Sequence, residues 1–425
     1  MVEYFRLSEI ETNSAMKKVL PMSTLLVLLL VSYSHAQYKN DNKTYKTVYL
    51  EELCKELKQH PGYLLLDVRS PGEYADTSQF TNYNIGHLEN AINIDIRELP
   101  KRVGELDAYK SKPIFIYCSH SQRSRRASTL LAEKGFTQVF NINEGLTGLQ
   151  VKGNAVVGCA AQLHGTTNRF RLIGPAELIS LARQPGNAVL LDVRPDSSYK
   201  GISSNEKLNA FGKIKTARPV AGGIDVLEAV KDIPKRKTIV LVDDFGEGSR
   251  KVANILADQG YTDIRVLLEG MDKWMATSPA DLPEKYDWWI SSAPYKVITP
   301  SELDTWSASA KDPLIIDIRD TLAFHNQAKE EYLNKGNIRN AVNIPYPLMQ
   351  ESASSWSFSK DRPILVYGFS SQPETFSAAK MLALSGYKKV AVLSGGLFAV
   401  RWQAANIRGR IALNNWVVNV PPDGF

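Results

Sequence analysis

"LLLDVRS" at residues 64–70 returns as "VLLDVRP" at 189–195 and as "LIIDIRD" at 314–320. The aspartates, Asp67, Asp192 and Asp317, are spaced by 125 residues both times. Upstream, "LEEL" ending at Leu53 returns as "PAEL" at Leu178 and "PSEL" at Leu303 with the same spacing. Downstream, "NEGL" at 143–146 returns as "LEGM" at 268–271 and "SGGL" at 394–397, the last step longer by one residue. A period this long is a whole domain, so the 425-residue chain reads as three copies of one unit.

Each unit has the same order. A short helix begins after Tyr49, at Pro175 or at Pro300, and the Asp-Val/Ile-Arg strand follows. Next come an apolar segment ("GHLENAINID", "GKIKTARPV", "GNIRNAVNIP") and a buried strand ("KPIFIY", "KTIVLV", "RPILVY"). A helix closed by Gly135, Gly260 or Gly386 leads to the last strand ("VFNIN", "IRVLL", "VAVLS"). Continuous Val/Ile/Leu runs alternating with helices predict an α/β fold, a mainly parallel sheet with helices on both faces. The domains are read as 37–160, 168–283 and 291–412, joined by linkers at 151–168 and 277–294. Trp288 and Trp289 in the second linker are expected to pack on a neighbouring domain.

Residues 1–36 read as an extension and a secretory leader. Lys17 and Lys18 precede the apolar run Val19 to Val31, and Ser34 and Ala36 suit cleavage after Ala36. The mature chain is then exported, periplasmic or secreted, with no membrane span. The net charge of +6 is spread along the chain and argues against a nucleic-acid partner. No zinc-type spacing, Walker loop or dinucleotide fingerprint occurs, so neither metal nor cofactor is implied.

Chemistry concentrates in "IYCSHSQRSRRAS" at 116–128. Cys118 ends a buried strand, and Ser119, His120, Ser121, Gln122 and Arg123 turn into a helix expected to start near Ser124. Ligands of parallel sheets bind beyond the carboxyl ends of the strands. Unpaired N–H groups at a helix start form an anion cradle, which favours the thiolate of a cysteine placed there. Arg123 and Ser124 are candidate anion ligands, with Arg125 and Arg126 either steering anions or merely solvated. Cys54 is read as a core residue and Cys159 as a linker thiol that a disulfide could engage. In the other repeats Cys118 becomes Asp243 and Gly368, and Arg123 becomes Gly248 and Pro373, so both copies are read as catalytically dead.

The Asp-Val-Arg strand end, the Gly-His-Leu…Ala-Ile-Asn segment and the Cys-x4-Arg-Ser loop resemble the rhodanese family of sulfurtransferases. The chain is thus similar to three tandem rhodanese-like domains, of which only the first has an active-site cysteine. The resemblance implies that Cys118 takes a sulfane sulfur from a small anionic donor such as thiosulfate. The sulfur then passes to a thiol or cyanide-like acceptor. Ser119 to Ser124 would hold the donor, and Arg69 would border the pocket although Asp67 and Arg69 recur as framework residues. Related phosphatases carry Cys-x5-Arg, a longer loop, which disfavours phosphoryl transfer. A binding scaffold or a Cys118 redox sensor is the rival reading. Ser121 stands where the family often has glycine, and a positive φ there would strain it.

Overall fold

The computed structural model describes residues 44–220, 226–352, 356 and 358–421. The leader and its cleavage after Ala36 lie outside these residues. Among the described residues no helix is long and apolar enough to cross a membrane.

In the first domain five parallel strands run in the order Lys46–Val48, Val139–Ile142, Ile114–Tyr117, Leu64–Asp67, Ile92–Asn93. The second domain repeats this order with Arg171–Ile173, Ile264–Leu267, Thr238–Val242, Ala188–Asp192 and Arg218–Pro219. The third repeats it with Lys296–Ile298, Val390–Leu393, Ile364–Tyr367, Leu314–Asp317 and Ala341–Asn343. Side chains alternate along a strand, so Phe115 and Tyr117 enter the core on one face while Ile114, Ile116 and Cys118 enter the other. Cys118 therefore ends the central strand with its thiol against Ala127 and Leu131 of the helix Gln122–Glu133.

The recurring Asp-x-Arg is a buried framework pair. Arg69 binds Asp67 in a fork at 2.7 and 3.0 Å and donates to the Gly86 carbonyl at 2.6 Å. Arg194 makes the same bonds to Asp192 and Gly212, and Arg319 to Asp317 and Gly336. Asp67 and Arg69 are both wholly buried. The structure thus places Arg69 in the scaffold rather than open to solvent, and its function is to tie the strand end to the following loop.

The two segments read as linkers are partly straps, and a third strap lies beyond residue 412, where the third domain was read to end. His164–Gly165 pairs antiparallel with His87–Leu88, Trp289–Ile290 with Lys213–Ile214, and Val417–Val418 with Asn337–Ile338. This explains the glycine before each paired segment. Gly86, Gly212 and Gly336 have φ of 75°, 57° and 75°, and a Cβ on any of them would run into a strap carbonyl. Trp288 and Trp289 are half-buried and pack against the apolar cluster that the second and third domains share, and Trp289 donates from Nε1 to the Phe211 carbonyl at 2.6 Å.

Cys54 is not simply a core residue. It forms a disulfide with Cys159, pinning the helix Leu50–Gln59 to the first strap across 105 residues. Cys118 is the free cysteine. One apolar cluster joins Phe115 and Tyr117 of the first domain to Leu241 and Leu256 of the second. Another joins Trp274 and Met275 of the second to Val366 and Phe376 of the third.

Candidate active site

The loop after the central strand is four residues long in the first two domains, 118–121 and 243–246, and five in the third, 368–372. The helices that follow are Gln122–Glu133, Glu247–Asp258 and Pro373–Leu384. The extra residue in the third repeat thus sits in this loop. The counterpart of Arg123 there is Glu374, not Pro373. The first helix also starts at Gln122, two residues before the expected start near Ser124, which leaves Arg123 and Ser124 in its first turn. Ser121, not Ser124, is the N-cap residue, and its side chain does not cap.

Cys118 is buried, and its thiol lies 3.7 Å from Ser124 Oγ, which in turn donates to the Ser121 carbonyl at 3.2 Å. Ser119, Ser121 and Ser124 are buried with it, His120 and Arg123 are half-buried, and Gln122 is exposed. Arg125 is half-buried and Arg126 exposed. Burial lowers the Arg125 guanidinium pKa, against the pull of Tyr45 and Cys118.

Arg123 does not face solvent alone. Glu73 takes it in a bidentate pair at 2.7 and 2.8 Å, and its other contact is Ser119 Oγ at 3.1 Å. Burial works against the Glu73 charge, yet the Arg123 pair and the bonds from Ser70 hold its carboxyl down at about 2. The Arg123 guanidinium is correspondingly raised: burial opposes its charge, but Glu73 and then Cys118 outweigh it. Glu73 escaped the sequence reading, although a signal was present. Its repeat positions are Ser198 and Ala323, so the acid occurs only in the copy that carries Arg123.

The second domain shows what the loop amides hold. The Asp243 carboxylate, in the Cys118 position, accepts the N–H of Gly246 at 2.5 Å and of Ser249 at 2.9 Å. These residues correspond to Ser121 and Ser124. Burial raises the Asp243 pKa against those two bonds. The loop therefore closes on a negative group in the chain's own second copy. In the third copy the space is filled differently: a Cβ on Gly368 would lie 2.8 Å from Thr375 Oγ1 and 3.1 Å from Gln372 Oε1.

Ser121 has φ 73°, the left-handed value that its glycine counterpart Gly246 also takes at 86°. A non-glycine residue there costs about 1–2 kcal/mol. Its hydroxyl reaches Asn143 Oδ1 at 3.4 Å, a weak compensation. Ser121→Gly is expected to raise stability by about 0.5–1 kcal/mol, read as an increased urea midpoint. Ser121→Val, β-branched at positive φ, is expected to lower it.

Asp244 is a second strained point. Burial raises its carboxyl to about 6, with Arg194 pulling it down and Asp243 pushing it up. Its Oδ1 lies 3.7 Å from Arg194 Nη1. A pKa raised on folding means that the stabilising contribution is complete below the unfolded value near 4 and is lost as the pH rises through about 6. Asp244→Asn is therefore expected to stabilise the protein by up to about 3 kcal/mol at pH 8 and not at pH 4. Melting temperatures of the two proteins across that range measure it.

Comparison with known proteins agrees with the repeat. A family model described as the rhodanese-like domain matches residues 50–152, 175–277 and 299–404. The uncharacterized protein YqhL of Bacillus subtilis (strain 168) is 30% identical over 128 residues, 29% of this chain and 90% of that protein. The tRNA uridine(34) hydroxylase of Cytophaga hutchinsonii is 31% identical over 117 residues, 26% of this chain and 35% of that protein, so the chain spans about a third of its length. Among solved structures, a rhodanese-related protein from Thermoplasma volcanium is 27% identical, covering 24% of this chain and 89% of its own with a TM-score of 0.20. The thiosulfate sulfurtransferase of Pseudomonas aeruginosa is 16% identical, covering 82% of this chain and 66% of its own with a TM-score of 0.22. With three family matches that together take in most of its length, this chain belongs to the rhodanese-like domain family.

Proposed function

We propose that the protein is a sulfurtransferase whose first domain works through a Cys118 persulfide. The observation that carries this reading is the Asp243 carboxylate held by the amides of Gly246 and Ser249. The same loop in the first domain places a thiol where the second domain places an anion. Loop N–H groups and a helix start are suited to hold the negative charge of an anionic donor and of a sulfur carried on Cys118.

The Cys118 thiolate attacks the outer sulfur of an anionic donor such as thiosulfate. A sulfur–sulfur bond forms at Sγ while the donor's own sulfur–sulfur bond breaks, and sulfite leaves with the electron pair. A cyanide-like or thiol acceptor then attacks the outer sulfur and returns the thiolate to Cys118. Splitting the transfer in two steps lowers the barrier to each, and neither step needs a metal or a cofactor. Ser119, His120, Ser121, Gln122, Arg123 and Ser124 form the donor site. Glu73 holds the Arg123 fork over it, so that binding the donor does not first require ordering a flexible arginine.

We place the mature protein outside the cytoplasm, cleaved after Ala36. The Cys54–Cys159 disulfide supports this, since such bonds persist in oxidising compartments. The test is to incubate the protein with thiosulfate and weigh it intact. A gain of one sulfur atom that cyanide removes as thiocyanate is expected. No adduct with thiosulfate, mercaptopyruvate or polysulfide would overturn the reading.

A further inference from the structure

The mouth of the Cys118 loop is shared between two domains. His120, two residues beyond the cysteine, meets Glu269 of the second domain, with Nε2 3.1 Å from Oε1. The other carboxylate oxygen of Glu269 is 3.3 Å from Lys273 Nζ. The second domain grips the same side of the first through Arg250, which donates to the Asn84 carbonyl at 2.5 Å, and Asn168 donates to that carbonyl at 3.1 Å.

Glu269 sits in a conformation that a glutamate adopts only at a cost. Its φ is 55°, and the third repeat has Gly395 at the corresponding position with φ 73°. Left-handed backbone at a residue with a side chain persists where its surroundings hold it. Although burial opposes it, Lys273 and His120 keep the Glu269 carboxyl well below the usual range, so the contact partner of His120 is a full carboxylate. The equivalent acid of the first domain, Glu144, is turned to a different use and binds Lys152 at 2.6 Å. Glu269 thus reaches across the boundary to one side chain of the active loop.

We propose that Glu269 is a positioning residue supplied by the second domain: by holding His120 it fixes that ring at the mouth of the Cys118 loop, and His120 in turn screens the Glu269 carboxylate from an anionic donor. This rests on the sulfurtransferase reading of the same loop. With His120 drawn onto Glu269, its ring is tied to the second domain and is not free to lie over the loop. The Glu269 charge is then spent on His120 and Lys273 instead of facing the incoming anion. A loose His120 would leave that carboxylate to repel the donor and would let the ring fall across the mouth. A domain without a nucleophile of its own thereby acts on the nucleophile of its neighbour.

The experiment compares wild type with Glu269→Ala, Glu269→Gln, His120→Ala and the double alanine variant. Glu269→Ala is expected to raise KM for thiosulfate about fivefold with kcat within about twofold. Glu269→Gln, which still offers an oxygen to His120, should recover most of this. The double variant should be no worse than either single one, because one interaction is removed twice. Alkylation of Cys118 gives a readout independent of sulfur transfer. The rate ratio of anionic iodoacetate to neutral iodoacetamide should fall about fivefold in His120→Ala, where the Glu269 carboxylate is left facing the incoming anion, and not in Glu269→Ala, where that charge is gone; the His120 ring-proton resonances should shift in Glu269→Ala. An unchanged KM and an unchanged alkylation ratio, or single effects that simply add, would overturn the proposal. Absence of persulfide in the wild type would overturn the sulfurtransferase reading alone, and the alkylation ratio would still decide the role of Glu269.

Discussion

Cys118→Ser is expected to remain folded and to lose thiocyanate formation by at least about 10³-fold. The two halves of that expectation have separate causes. Cys118 is buried against Ala127 and Leu131 and touches Ser124 Oγ, so a hydroxyl of nearly the same size keeps both packing and a polar partner. Unfolding should move by less than about 1 kcal/mol. An alcohol in that cradle, however, is not ionised near neutrality and cannot carry a sulfane sulfur. Turnover that survives the substitution would place the chemistry elsewhere in the chain. The intact mass after thiosulfate treatment, taken with and without cyanide, distinguishes a lost first step from a lost second one.

Arg69→Met should produce the largest loss of stability, about 3–5 kcal/mol. The guanidinium is wholly buried, forks onto Asp67 and also satisfies the Gly86 carbonyl. Without it, a carboxylate stays in the core with no counter-charge, and the carbonyl at the start of the strap pairing loses its donor. Combining Asp67→Leu with Arg69→Met is expected to be less harmful than Arg69→Met alone, since a vacated ion pair costs less than half of one. Thermal melts of the three proteins test this order. If the double variant melts below the single one, Asp67 is held by more than the guanidinium. Arg194 and Arg319 offer the same test in the other two domains, with partners at the same 2.7 Å.

How much of this was written in the sequence depends on how far apart the cooperating residues lie. The Asp-x-Arg strand ends, the parallel sheets and Cys118 at the end of a central strand all follow from local patterns repeated in register. The positive φ of Ser121 was foreseeable because one residue type is out of place in a loop of known setting. Contacts across domains carry no such pattern. The partner of His120 is 149 residues away, and that of Cys54 is 105 away. The first two straps were read as linkers, and the third fell beyond the third domain as read, because two-residue strands have no periodicity to detect. The misplaced counterpart of Arg123 in the third repeat has a plainer cause. A single inserted residue can be located only when the start of the following helix is known, and Pro373 suits the first position of that helix as well as it suits a loop. Glu73 lay in between, visible only when the three copies are compared at an acid rather than at the cysteine.

The apolar clusters that run from one domain into the next bear on why two copies without a thiol persist. A cut at the first strap would leave Phe115 and Tyr117 on one side, and Leu241 and Leu256 on the other, without part of the cluster they now share. Such a fragment would exchange a solid interior for an adhesive surface. The array, and not the single domain, is accordingly what completes these clusters. Loss of the cysteine from a copy removes a reaction, whereas loss of the copy removes part of its neighbour's interior, so the second kind of loss is the one selection resists.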